Sequence, residues 1–148
     1  MQTTRRLFLQ AAALGTALLA LPKTLLAWPK SAFESDSPDK AMTELFGSST
    51  TTASDAVTLT APDIAENGAV VPITVATSLE GVEAIGIIVT ENPSPLVAAF
   101  DLTSDSVPEV STRIKMGKTS DVMAVVKANG KLYSASKNVK VTIGGCGG

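Results

Sequence analysis

The chain has 148 residues, of which 12 are Lys or Arg and 14 are Asp or Glu, for a net charge of −2, with no histidine and a single cysteine. The absence of histidine removes the usual general base, thiol activator and commonest metal ligand, and one cysteine can form neither a thiolate cluster nor an internal disulfide. No basic stripe is present of the kind that holds nucleic acid.

At the N-terminus, Thr4-Arg5-Arg6-Leu7-Phe8-Leu9-Gln10 carries a twin arginine, and an apolar run from Ala11 to Leu21 follows, interrupted by Gly15 and Thr16. This resembles a twin-arginine export signal, in which Arg5 and Arg6 are read by a translocase receptor. The uninterrupted apolar stretch falls short of the roughly 20 residues of a membrane-spanning helix, so no stable membrane anchoring is expected. Cleavage is expected after Ala27, with Ala20 as the second choice. Residues 1–27 are thus the signal, and removing them leaves 121 residues with 9 basic against 14 acidic side chains, a net charge of −5. That length supports one ordinary core without disulfide or metal staples. Export by the twin-arginine route places the chain in the periplasm.

Residues 28–55 read as an N-terminal segment. Ser37-Pro38-Asp39-Lys40 leads into a short helix over Ala41–Phe46, which Gly47 is placed to stop. Ser48 to Asp55 is a polar Ser/Thr linker, and Trp28 reads as a local packing residue. From residue 56 to 143 the pattern changes to period two and β-branched runs, with turn residues about every ten positions. Strands are expected near Ala56–Leu59, Val70–Thr77, Val82–Thr90, Val97–Leu102, Glu109–Lys115, Asp121–Ala128 and Lys131–Ile143, the last broken near Ser136–Asn138. Asn129-Gly130 is a two-residue hairpin signal, because both residues tolerate positive φ. Pro62, Pro72, Pro93, Pro95 and Pro108 mark edges and corners, since proline cannot donate to an inner ladder. The implied fold is all-β: an immunoglobulin-like β-sandwich of about seven strands with a short N-terminal helix. Val82, Ile85, Ile87 and Val89 form an apolar strand face, either core or a surface offered to a partner.

Asp101, Asp105, Glu80, Glu83, Glu91 and Glu109 fall on expected turns or strand ends and read as solvated surface charge. No two of them are arranged as an evident acid and base. The chain ends in Gly144-Gly145-Cys146-Gly147-Gly148. Glycines on both sides give residues 144–148 a narrow, conformationally free arm, and three residues from Ile143 let the sulfur stand roughly 10 Å from its anchor. An exported protein with one cysteine carries either a reactive thiol or an intermolecular bridge. Nothing around Cys146 supplies an activating cation or base, so any activation comes from another protein.

The terminal pentapeptide following Val139-Lys140-Val141-Thr142-Ile143 is similar to the C-terminus of the sulfur-oxidation carrier family SoxY. The likeness extends in the same order through Glu66-Asn67-Gly68-Ala69-Val70-Val71-Pro72-Ile73, Asn92-Pro93-Ser94-Pro95, Thr112-Arg113-Ile114-Lys115 and Asn129-Gly130-Lys131-Leu132-Tyr133, and it includes the export signal. The resemblance implies a non-enzymatic carrier with no resident cofactor and no metal, paired with SoxZ in a heterodimer. It implies that Cys146 holds thiosulfate-derived sulfur as S-thiosulfonate and persulfide adducts, loaded by the haem enzyme SoxAX. The manganese-dependent hydrolase SoxB and, where present, SoxCD would then process the adduct. Gly144, Gly145, Gly147 and Gly148 would be the clearance that admits the sulfur to each active site. Two other readings stay open: a ubiquitin-like sulfur carrier using the Gly148 carboxylate, and an exported sandwich joined by an interchain disulfide, as in a homodimer linked through Cys146.

Overall fold

The computed structural model describes residues 29–142. Among the described residues, two helices precede the sheets. The first, α1 (Lys30–Phe33), is a single turn with Ala32 buried. In α2 (Pro38–Phe46) the Ser37 side chain accepts the Lys40 N–H at the start, Pro38 opens the first turn, and Gly47 closes the end in the left-handed region at φ 83°. The Ser31 hydroxyl donates to Glu44 Oε2 at 2.8 Å, tying the two helices together. Helix α2 matches the expected one; α1 is additional, since a single turn has no periodicity for a sequence to display.

Nine strands follow: β1 (Thr52–Ala53), β2 (Val57–Thr60), β3 (Ile64–Ala65), β4 (Val71–Thr77), β5 (Val82–Val89), β6 (Leu96–Asp101), β7 (Glu109–Ile114), β8 (Ser120–Ala128) and β9 (Lys131–Val141). The larger sheet has the order β1-β9-β8-β5-β6, with β3 also paired to β9, and the smaller has the order β2-β4-β7. Seven of these are the expected strands. The two-residue β1 and β3 were not expected, and β1 lies within the segment read as a linker. β9 is also continuous through Ser136–Asn138, paired with β8 from Lys131 to Val139.

The two sheets face each other across a core of Val71, Ile73 and Val75 from β4, Ile85, Ile87 and Val89 from β5, and Val122, Ala124 and Val126 from β8, all at most 1% exposed. The period-two spacing of these residues is what puts them on one face. Behind the larger sheet, Ile88, Leu96, Val125 and Leu132 meet Ala41, Met42 and Phe46 of α2. β5 and β8 are therefore buried on both faces, which is why they read as apolar runs rather than clean alternation. Of the two readings of this strand, core holds for Ile85, Ile87 and Val89, because the chain's own second sheet covers them.

The turn at Asn129-Gly130 joins β8 to β9 with φ 49° and 74°, as a two-residue hairpin requires. Pro72 sits inside β4, opposite Arg113 of β7. β2 pairs with β4 only from Thr74 onward, so one side of Pro72 has no neighbouring strand and no ladder bond is lost.

Candidate functional site

Cys146, Gly144, Gly145, Gly147 and Gly148 lie outside the described residues, as do Arg5, Arg6 and Trp28. The structure shows what the terminal segment grows from. β9 is the longest strand, and its last residues are held from both flanks. On one flank β3 runs parallel to it, with Ile64 opposite Lys140 and Ala65 opposite Val141. The Lys140 N–H donates to Asp63 O at 3.0 Å and the Thr142 N–H to Ala65 O at 3.1 Å. On the other flank the Val141 N–H donates to Thr119 Oγ1 at 3.0 Å. Three consecutive backbone N–H groups thus have fixed acceptors up to Thr142.

Asn67-Gly68 forms a turn beneath this root. The Asn67 carboxamide oxygen accepts the Ala69 N–H, and Gly68 O accepts the Met116 N–H at 2.7 Å. A Cβ on Gly68 would stand 2.4 Å from Met116 O and 3.0 Å from Val141 Cγ1, so only glycine permits this approach. Lys137 Nζ bonds both Asp63 Oδ1 at 3.0 Å and the Ala61 carbonyl, which holds in place the loop that carries β3.

The neighbouring loops are braced in the same manner. Asn92 Nδ2 donates to Lys115 O at 2.8 Å, while its Oδ1 accepts the Gly117 N–H at 3.0 Å. Lys118 and Glu91 pair at 2.9 Å across the same two loops. The buried Ser120 hydroxyl accepts the Glu91 N–H at 3.1 Å. This end of the sandwich is a rigid platform, with Ile64 and Val70 as exposed apolar side chains beside the root. Beside the platform an open cleft of about 600 Å³ lies between the 92–97 turn and the end of β7. Among the described residues, no three His, Cys, Asp or Glu side chains gather as metal ligands. No described helix is long and apolar enough to cross a membrane.

Sequence reasoning named an arm that lies outside the described residues and missed the anchorage of the strand that precedes it. Asp63, Ala65 and Thr119 act through backbone groups and one hydroxyl on segments distant in sequence, which no periodicity reveals. Asn67-Gly68 was the one available signal, as a turn dipeptide.

A family model described as sulfur oxidation protein SoxY matches residues 42–146. The sulfur carrier protein SoxY from Chlorobium limicola f thiosulfatophilum is a solved structure similar to this chain, with 50% identity and a TM-score of 0.65 over 71% of this chain and 96% of that one. Superoxide reductase (neelaredoxin) from Ignicoccus hospitalis shares the fold alone, at 18% identity and a TM-score of 0.52 over 59% of this chain and 80% of that one. Two variants of that reductase align equally well. No curated protein sequence matches the chain.

Proposed function

The chain belongs to the SoxY family of sulfur oxidation proteins, and from that membership we propose that it is a periplasmic sulfur-substrate carrier of thiosulfate oxidation whose attachment atom is the Cys146 sulfur. One observation carries the reading: a lone thiol flanked by glycine pairs follows a strand whose final N–H groups are all fixed. Cys146 is four Cα steps beyond Thr142, so the sulfur reaches about 13–14 Å beyond the platform at full extension. Glycine flanks keep the arm thin enough to enter a partner's active site.

In this reading the carrier holds the intermediate and its partners perform the chemistry. Loading joins the Cys146 thiolate to the outer sulfur of thiosulfate, forming an S–S bond while two electrons pass to the haem partner SoxAX. Hydrolysis by SoxB then places water's oxygen on the terminal sulfonate group, which leaves as sulfate with release of protons, and the persulfide stays on Cys146. SoxCD, where present, oxidises that persulfide sulfur. SoxZ is the heterodimer partner, and the twin-arginine signal with Arg5 and Arg6 takes the chain to the periplasm. The chain contributes no cofactor or metal of its own.

Intact-mass analysis of the exported chain, incubated with thiosulfate and the haem partner, tests the proposal. A thiosulfate-derived adduct mapped to Cys146 is expected. An adduct on the Gly148 carboxyl, or a covalent dimer that never takes a small-molecule adduct, overturns it.

A further inference from the structure

The described residues hold two Asn-Gly pairs, Asn67-Gly68 and Asn129-Gly130, both at turns and both with the asparagine exposed. Asparagine is a chemically labile residue, and a following glycine, having no Cβ, leaves its backbone nitrogen unshielded beside the carboxamide carbon. The fold treats the two pairs differently. At Asn129 the Nδ2 donates to Glu80 O at 3.1 Å, the Oδ1 packs against Gly81, where a Cβ would stand only 2.4 Å away, and the backbone N–H donates to Gly81 O at 3.1 Å. The Gly130 N–H, which is the nitrogen that would attack, donates to Glu83 Oε1 at 3.0 Å. Of the Asn67 carboxamide only the oxygen is engaged, accepting the Ala69 N–H at 2.9 Å, and that bond polarises the group toward attack. Neither Asn67 Nδ2 nor the Gly68 N–H has a partner among the described residues.

We infer that Asn67 is a site of spontaneous deamidation, with water as its co-reactant, and that the hairpin protects Asn129 from the same reaction. The Gly68 nitrogen bonds to Asn67 Cγ and its proton goes to solvent; the Cγ–Nδ2 bond breaks, and the departing nitrogen takes up a proton and leaves as ammonia. The succinimide so formed takes up one water, opening at Cγ to aspartate or at the main-chain carbonyl to isoaspartate. No electron is transferred, and either product carries one new carboxylate. The position makes the change structural. Gly68 lies against Met116 O and Val141 Cγ1 with no room for a Cβ, and its own carbonyl accepts the Met116 N–H at 2.7 Å. Isoaspartate routes the main chain through Cβ and Cγ and so adds an atom to this turn, which Gly68 cannot absorb while keeping both contacts. The bond to Met116 is lost, and with it the support beneath Val141 at the end of β9.

The test is peptide mapping, by chromatography with mass detection, of the purified chain held at mildly alkaline pH, where a backbone nitrogen yields its proton more readily. A hydrogen bond to a charged group must break before the Gly130 nitrogen can attack, so in the folded chain conversion at Asn67 should be roughly 10-fold or more faster than at Asn129. In denaturant the two rates should converge. Glu83→Ala, which frees the Gly130 N–H, should raise the rate at Asn129 and leave that at Asn67 unchanged. The converted chain, separable by its added negative charge, should show faster hydrogen exchange at Met116 and unchanged exchange along β5. Equal rates in the folded chain, a faster Asn129, or an Asn67 that stays intact while the denatured chain converts overturns the proposal. Unchanged conversion of Asn129 in Glu83→Ala overturns the protection assigned to the hairpin, and full protection of Met116 in the converted chain overturns the structural consequence.

Discussion

Gly86 in the middle of β5 leaves the space that the Phe46 ring of α2 occupies: a Cβ on Gly86 would lie 2.9 Å from Phe46 Cζ and 3.3 Å from Leu45 Cδ2. The obstructing atoms are side-chain tips, so a single methyl can be absorbed by a small shift of the ring. Gly86→Ala is therefore expected to change stability little. Gly86→Val should cost about 1–3 kcal/mol by overpacking. Phe46→Ala alone should cost about 3–5 kcal/mol, and the double variant should lose less than the sum, because the cavity left by the ring accepts the valine. Denaturant melts of the four proteins measure the coupling, and strict additivity contradicts the account.

Thr119→Val removes the acceptor of the Val141 N–H while preserving side-chain shape. Because the group is exposed and water can replace the hydroxyl, the expected cost is only about 0.5–1.5 kcal/mol. The sharper readout is hydrogen exchange: protection should fall at Val141 and remain unchanged at the centre of β9. Unchanged protection at Val141 would show that the hydroxyl does not hold the root.

Cys146→Ser should abolish thiosulfate-dependent turnover in a reconstituted system, with no change in melting behaviour or in any pairing with the proposed partner SoxZ. Full turnover by this variant contradicts covalent carriage on that sulfur.

Replacing Gly145 or Gly147 with Val should slow enzymatic processing of the loaded arm and leave the thiol's rate with a small alkylating reagent unchanged. A β-branched side chain widens the arm and stiffens its backbone without touching the sulfur. If both rates fell together, or neither fell, narrow clearance would not be the role of these glycines.

Much of the fold was legible because its signals are local. Ser37 and Gly47 bracket α2 through their own side-chain and backbone chemistry, Asn129-Gly130 specifies a hairpin, and alternation along β4 marks its buried face. Less legible were features that depend on distant segments meeting. β1 and β3 are two residues each, and only their parallel pairing with β9 makes them strands. The polar stretch Ser136–Asn138 looked like a break. In the fold, Ser136 and Asn138 lie on the exposed side of β9, and Lys137 reaches Asp63 and the Ala61 carbonyl. Ile85, Ile87 and Val89 posed a different ambiguity, since an apolar face reads the same whether its partner is the chain's own second sheet or another protein. The candidate site divided along the same line. The pentapeptide around Cys146 is a contiguous motif, whereas its anchorage through Ala65, Gly68 and Thr119 is assembled across the fold.

The placement of β9 between β8 and the pair β1 and β3 has a mechanical consequence. A pull on the end of β9 along the strand axis loads the ladder bonds on both flanks together in shear. Peeling them one at a time would require a sideways pull. A pull at the end of β9 is thus spread through the larger sheet.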